Sequence, residues 1–270
     1  MSVPVTRIFS DLHFRDGESR LHDLRAFAPL LAGADRIVLN GDTLDSQADA
    51  DGSDLAGIRS FFAQHAPPTT FLSGNHDPDI SPHGELLLND GRVWITHGDV
   101  LFDDIAPWSS LRAEMAGRLE LLFAAVPPEE RALLETRLRL HRLACRGLPE
   151  HHDRLDRTVF TRASRLAHIL FPPHRLLTML RVWRETPALA RQLARAQRPR
   201  ARLVVLGHTH YPGVWSGRDG PVVVNTGSFC RPFGHLYVEL RGDRVQVVRI
   251  AGRRGCFHPG RVVAGFSLAP

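Results

Sequence analysis

The chain contains no lysine: all 34 of its basic residues are arginine. Its positive charge is therefore carried on planar forks that match phosphate oxygens, and not on ammonium point charges. Cysteine is scarce too. Cys145, Cys230 and Cys256 have no paired spacing, which excludes a disulfide framework and a zinc finger and points to a reducing compartment. No run of about 18 apolar residues is present, so no segment qualifies as a membrane-spanning helix. Residues 1–7 lack a charged region leading into a long apolar core, so no signal peptide is read and a cytoplasmic chain is expected. Internal repeats and low-complexity tracts are missing as well. At 270 residues and 43% hydrophobic content, the chain suits one packed α/β domain over 1–270.

What is present is one figure repeated five times: an apolar run that stops at Gly, Ser or Thr and then at Asp, Asn or His. Val38-Leu39-Asn40-Gly41-Asp42 is the plainest case. The others end in Ser10-Asp11-Leu12-His13, Gly74-Asn75-His76-Asp77, Thr96-His97-Gly98-Asp99 and Gly207-His208-Thr209-His210. An apolar, β-branched run ahead of such residues reads as a buried strand delivering a polar side chain to the rim of a sheet, where α/β proteins bind ligands. A lone Asp-x-His would mean little in a chain with 15 histidines. Five linked pieces, each after a strand, read as a two-metal site. Their oxygen and imidazole donors suit Mn²⁺ first, with Fe²⁺ or Zn²⁺ as alternatives. A shared carboxylate can hold two ions about 3.5–4 Å apart, and such a pair polarises a phosphoryl group, stabilises the leaving oxygen and turns water into hydroxide near neutral pH.

In chain order, strands are expected over 5–10, 36–40, 70–73, 93–96 and 203–206, with helices over 21–31 and 55–65 between the early ones. The first two strands should be parallel, joined by a right-handed crossover. Three further runs, 222–228, 235–240 and 244–250, have no helix between them and should add antiparallel strands. Segment 105–202 differs in kind. Leu111, Met115, Leu119, Leu122 and Val126 keep helical spacing, Pro127-Pro128 interrupts, and Leu133 to Leu143 begins again, so the segment reads as an all-helical insertion. It holds 19 Arg against 9 acidic residues, a balance of +10, while the rest of the chain has 15 against 20. Beside a phosphate site, such a segment is expected to cap the rim, with arginines for a headgroup and an apolar cleft, or peripheral membrane contact, for acyl chains. Exchanging 166–183 for a short linker should then weaken acylated substrates and spare small aryl phosphodiesters.

These five pieces resemble the calcineurin-like metallophosphoesterase family, whose pattern is D-x-H, G-D-x-x-D, G-N-H-D/E, H and G-H-x-H, and they stand here in family order. The resemblance implies a β-sandwich flanked by helices. It also implies two divalent metal ions, one on Asp11, His13, Asp42 and His210, the other on Asp42, Asn75, His97 and His208. His76 would steady the phosphoryl group or protonate the leaving oxygen, with Asp77 orienting it, and Asp45 would stand behind the ligands. The substrate implied is a phosphate ester or diphosphate. Gly41-Asp42-Thr43-Leu44-Asp45-Ser46 departs from the G-D-x-V-D-R-G of protein serine/threonine phosphatases. His97-Gly98-Asp99 and the long insertion are similar to UDP-2,3-diacylglucosamine diphosphatases, which usually have Arg where this chain has His76; an enzyme of that kind would work at the inner face of the membrane. The enzymatic alternative is a small-molecule or cyclic-nucleotide phosphodiesterase. A non-catalytic interaction scaffold on this fold would be expected to have lost ligands, and none is lost. Nucleic-acid binding is disfavoured, since few aromatics interleave with the arginines.

Overall fold

The computed structural model describes residues 3–46, 49, 51–148, 173–217, 220–253 and 255–269. Eleven strands among them form two sheets. The first has the order β11-β10-β9-β1-β2-β3, from β1 (Val5–Phe9), β2 (Arg36–Asn40), β3 (Thr69–Leu72), β9 (Leu236–Arg241), β10 (Arg244–Arg253) and β11 (Cys256–Ser267). The second has the order β4-β5-β6-β8-β7, from β4 (Glu85–Leu88), β5 (Val93–Thr96), β6 (Leu203–Leu206), β7 (Gly213–Trp215) and β8 (Val222–Asn225). β1, β2 and β3 run parallel, as do β5, β6 and β8, while the outer strands are antiparallel. Both sheets are therefore mixed.

The period-2 alternation of the strands builds the layers. Ile8, Val38, Leu72 and Val238 of the first sheet meet Ile95, Leu203, Val205 and Val224 of the second in one buried cluster between the sheets. The neighbours Phe9, Ile37 and Leu39 turn outward, onto Phe27 and onto Ile58 and Phe62 of α1 (Ser53–His65). On the far face of the second sheet, Trp94, Val204, Leu206 and Val223 are covered by Ala190 and Ala194 of a 25-residue helix near the end of segment 105–202. Helices thus flank a two-sheet sandwich.

The described parts of 105–202 contain the helices α2 (Arg112–Ala124), α3 (Pro128–Arg131), α4 (Leu134–Cys145) and α5 (Pro173–Gln197), with non-helical stretches between and around them. Met115 and Leu119 of α2 pack with Leu140, Ala144 and Cys145 of α4 in a cluster separate from the sandwich core. The expected apolar stretch before Pro173 lies outside the described residues. No helix among them is long and apolar enough to cross a membrane.

Three sequence expectations change. Crossover 21–31 contains a 3-10 helix, Leu24–Leu30, because Pro29 supplies no N–H for an α-helical bond. The run 222–228 is strand only as far as Asn225, and it lies parallel to β6 instead of antiparallel, because the short β7 makes the return. β4, β7 and β11 have no counterpart in the sequence reading.

Candidate metal centre

The C-terminal ends of β1, β2 and β3 in one sheet and of β5 and β6 in the other open onto the same rim. Asp11 and His13 follow β1, Asp42 follows β2, Asn75 follows β3, His97 follows β5, and His208 and His210 follow β6. All are buried except His210, which is about one-third exposed. The structure brings together every metal ligand expected from the sequence.

Among the described residues, two groups have ligand atoms within 4.8 Å of one another: Asp11, His13, Asp42 and His210; and Asp42, His97 and His208. Asp42 belongs to both. Its Oδ2 lies 3.1 Å from His97 Nε2, 3.8 Å from His13 Nε2 and 4.0 Å from His76 Nε2. On one side, the Nε2 atoms of His13 and His210 stand 3.0 Å apart, and His210 Nε2 is 3.2 Å from Asp11 Oδ1. On the other, Asn75 Oδ1 lies 3.3 Å from His97 Nε2.

Backbone conformation and glycine make this density possible. Asp11, His13, Asp42, His208 and His210 all have positive φ, between 44° and 65°, a region in which Asp and His are tolerated better than most residues. A Cβ on Gly41 would overlap the His97 ring, one on Gly74 the Asp42 carboxylate, and one on Gly207 the Asp11 carboxylate. Each of these three glycines therefore clears space for a ligand delivered by a different strand.

The fit to divalent cations rests on tautomers and charge. His97 Nδ1 donates to the Asn40 carbonyl (3.0 Å) and His208 Nε2 donates to the Ile105 carbonyl (2.8 Å), which leaves the other nitrogen of each ring as the available donor atom. Burial opposes ionisation of Asp11 and Asp42, yet His210 and His97 hold Asp11 below its ordinary value, and His97 and His76 hold Asp42 well below. Burial would also lower His97, but the Asp42 carboxylate outweighs it and pushes His97 up to about 10. Burial and neighbouring imidazoles pull His13 down to about 4 and His208 to about 3. Two buried carboxylates thus face one imidazole held charged, His97, and two held neutral, His13 and His208, and a divalent cation is the natural source of the missing positive charge.

His76 is partly exposed, its ring edge-on to His13 at 4.9 Å, and its backbone is fixed from both sides. Its N–H donates to Asp42 Oδ1 (2.9 Å), and its carbonyl accepts from the N–H and the hydroxyl of Ser46. Asp77 differs from expectation. Instead of being turned to the His76 ring, its fully buried carboxylate collects the N–H groups of Asp42 (2.9 Å), Thr43 (2.7 Å) and Gly74 (2.8 Å), buckling two ligand loops together. Burial and the Asp42 charge push its carboxyl up to about 7, against those three donors. Asp45 is buried at the end of the Asp42 loop.

The sequence reading missed the residues that hold the ligands. Asn225 Nδ2 donates to the Gly207 carbonyl (2.6 Å) and to Thr209 Oγ1 (2.9 Å), while its Oδ1 accepts from Gly227 N–H (2.8 Å). Ser10 donates to Asp11 Oδ2 and meets Thr226 Oγ1, and Ser228 donates to the Asp11 carbonyl. Asn225-Thr226-Gly227-Ser228 follows an apolar run, as the ligand loops do, although its order of residues differs from theirs. A cavity of about 440 Å³ opens above the ligands. Its floor includes His13, Asn75, His76, His208 and His210; Trp108, Leu111, Met115, Leu176, Met179 and Trp183 of segment 105–202 form an apolar wall, and Arg175 and Arg231 also line it.

The profile of the calcineurin-like phosphoesterase family matches residues 6–212. No curated protein matches the sequence. Among solved structures, the chain is similar to a dimetal phosphatase from Danio rerio (13% identity, 99% of each chain covered, TM-score 0.49). It is also similar to vacuolar protein sorting 29 from Cryptosporidium parvum (13% identity, 99% of this chain and 100% of that chain, TM-score 0.44). A predicted phosphoesterase from Streptococcus pneumoniae gives 14% identity, 99% of each chain and a TM-score of 0.40. At that distance nothing of those proteins' activities or partners carries over.

Proposed function

We propose that this chain, which belongs to the calcineurin-like phosphoesterase family, hydrolyses a phosphodiester or diphosphate bond at a dinuclear divalent-metal centre, on a substrate with an apolar group. The observation that carries this reading is Asp42: one buried carboxylate shared by two ligand groups, of which His13, His208 and His210 line an apolar-walled cavity. Asp11, His13, Asp42 and His210 would hold one ion; Asp42, Asn75, His97 and His208 the other. When bound, the ions supply Lewis acidity and lower the pKa of water at the site. His76, which lines the cavity with its backbone pinned, would give a proton to the leaving oxygen. Asp77 keeps the Asp42 and Gly74 loops in register.

The wall from segment 105–202 supports a lipid-linked nucleotide diphosphate, such as UDP-2,3-diacylglucosamine, over a cyclic nucleotide. Arg175 and Arg231 suit a second anionic group, and the apolar wall suits acyl chains. Leu177 and Leu180 on α5, 66% and 49% exposed beside Arg181 and Arg184, suit contact with an anionic lipid surface at the inner face of the membrane. A scaffold role has less support, because the full ligand set is present and assembled. The test is a turnover panel with the Mn²⁺-loaded protein on a diacylated nucleotide diphosphate, cyclic nucleotides, a bis-aryl phosphodiester and RNA. Turnover of none of the four would defeat the enzymatic reading, and preference for the cyclic nucleotide would defeat the lipid one.

A further inference from the structure

The turn His208-Thr209-His210 carries one ligand for each ion of the proposed pair and has left-handed backbone on both sides of Thr209, at φ 65° and 57°. Such a turn persists only where its surroundings over-determine it. Asp11 accepts from the His208 N–H, and Asn225 holds the Gly207 carbonyl and the Thr209 hydroxyl. The Thr209 carbonyl, between the two histidines, points away from these partners and accepts from the Trp183 indole N–H at 3.0 Å. Trp183 belongs to α5. Its ring is itself fixed, stacked on Tyr211 at 4.7 Å and edge-on to Phe233 at 5.1 Å.

We infer that Trp183 is a positioning residue of the metal centre: its indole N–H anchors the Thr209 carbonyl and so sets where the His208 and His210 imidazoles stand. The inference rests on reading this cluster as a metal site. Ligand-orienting partners of this kind typically change metal affinity by about 10–100-fold when removed. The opposite end of segment 105–202 does a parallel job. The Ile105 carbonyl holds His208 Nε2–H, and Ile105, although β-branched, has φ 61°. The Trp108 ring packs on His208 at 5.0 Å. One segment therefore reaches the same turn from both ends.

Trp183→Phe keeps a ring for Tyr211 and Phe233 and deletes only the N–H. Water from the cavity can then solvate the Thr209 carbonyl, so the metal-free fold should change little. Mn²⁺ titration of metal-free protein by calorimetry, with no substrate present, should show at least one of two sites weakened by about 10–100-fold in Trp183→Phe. Melting in EDTA should stay close to wild type, and Trp183→Leu should add little further loss of affinity. Unchanged Mn²⁺ affinity in Trp183→Phe overturns the inference. So does a loss confined to Trp183→Leu, or metal-free melting that falls in step with affinity, since each makes the ring's packing the cause. Wild-type protein that binds no Mn²⁺ overturns the metal-centre reading along with the inference, and that arm is read independently of the variants.

Discussion

The strand-end rim and segment 105–202 both grip the His208-Thr209-His210 turn, with different chemistry. The rim uses polar side chains: the Asp11 carboxylate takes the His208 N–H, and the Asn225 amide takes the Gly207 carbonyl. The helical segment uses a backbone carbonyl and an indole, from Ile105 and Trp183. The rim's residues are the donors a metal requires, so their arrangement and the chemistry coincide. Those of the segment are apolar residues, each of which sends one polar contact to the site. The difference teaches that a segment which reads as an add-on can still complete the centre it covers.

The largest effect should fall on the rim. Asp42→Ala removes the only carboxylate shared by the two ligand groups, and phosphodiesterase turnover with Mn²⁺ should fall by orders of magnitude while the circular dichroism spectrum is retained. Turnover that persists in this variant in the presence of chelator would break the two-metal reading. His76→Gln should cost roughly 10²–10⁴-fold in turnover with most of the bound metal retained, and less with good leaving groups such as aryl phosphates. A marked drop in metal content, measured by elemental analysis, would make His76 a ligand instead.

These two regions were unequally legible. Asp11, His13, Asp42, Asn75, His97, His208 and His210 were readable because each follows a buried strand within a few residues, so local pattern alone puts it at a rim. The strands themselves read well where they are buried on both sides, as in Val93–Thr96 and Leu203–Leu206. Edge strands β4, β7 and β11 escaped because they offer too little apolar pattern: three leucines in Glu85–Leu88, three residues in Gly213–Trp215, and a Pro-Gly pair within Cys256–Ser267. The parallel setting of β8 escaped because a three-residue strand, and not a helix, precedes it. Ile105 contributes a carbonyl, which every residue has, 103 positions from its partner. Trp183 contributes one N–H inside an apolar stripe that looks like packing. The left-handed backbone of five ligands leaves little trace in the sequence, since only Asp42 and His208 have a glycine beside them.

Buried histidine sharpens the comparison through pH. At the rim, cations can compensate imidazoles and carboxylates; His141 of α4 has no such help. It is fully buried, neither ring nitrogen has a hydrogen-bond partner, and Asp99 Oδ2 is 3.8 Å from Nδ1. Burial first, and then the Arg137 charge, pulls it down to about 3 from an ordinary 6.5. The folded value is depressed, so above pH 6.5 both states are neutral and its full contribution to stability is present. As pH falls below 6.5 the unfolded chain takes up a proton that the folded chain refuses, and stability is lost at about 1.4 kcal/mol per pH unit towards pH 3. From pH 6.5 to 5, urea unfolding of wild type should lose roughly 2 kcal/mol more than that of His141→Leu. Parallel pH profiles for the two proteins would mean that His141 is hydrated or paired in solution.

The smallest effect expected concerns the cavity wall. Exchanging 166–183 for a linker also removes the indole that donates to the Thr209 carbonyl, so it does not test the wall alone. Met179 offers a cleaner test: it lines the cavity from α5, and no hydrogen bond ties it to a ligand loop. Met179→Ala removes apolar surface that an acyl chain would cover, and trimming such a wall costs roughly 1–2 kcal/mol in discrimination. The ratio of kcat/KM for a diacylated nucleotide diphosphate to that for a bis-aryl phosphodiester should therefore fall about 5–30-fold. Mn²⁺ affinity should not move, which separates this variant from Trp183→Phe. If the ratio holds while both rates drop together, the wall supports the site without reading the substrate, and the apolar group must bind elsewhere.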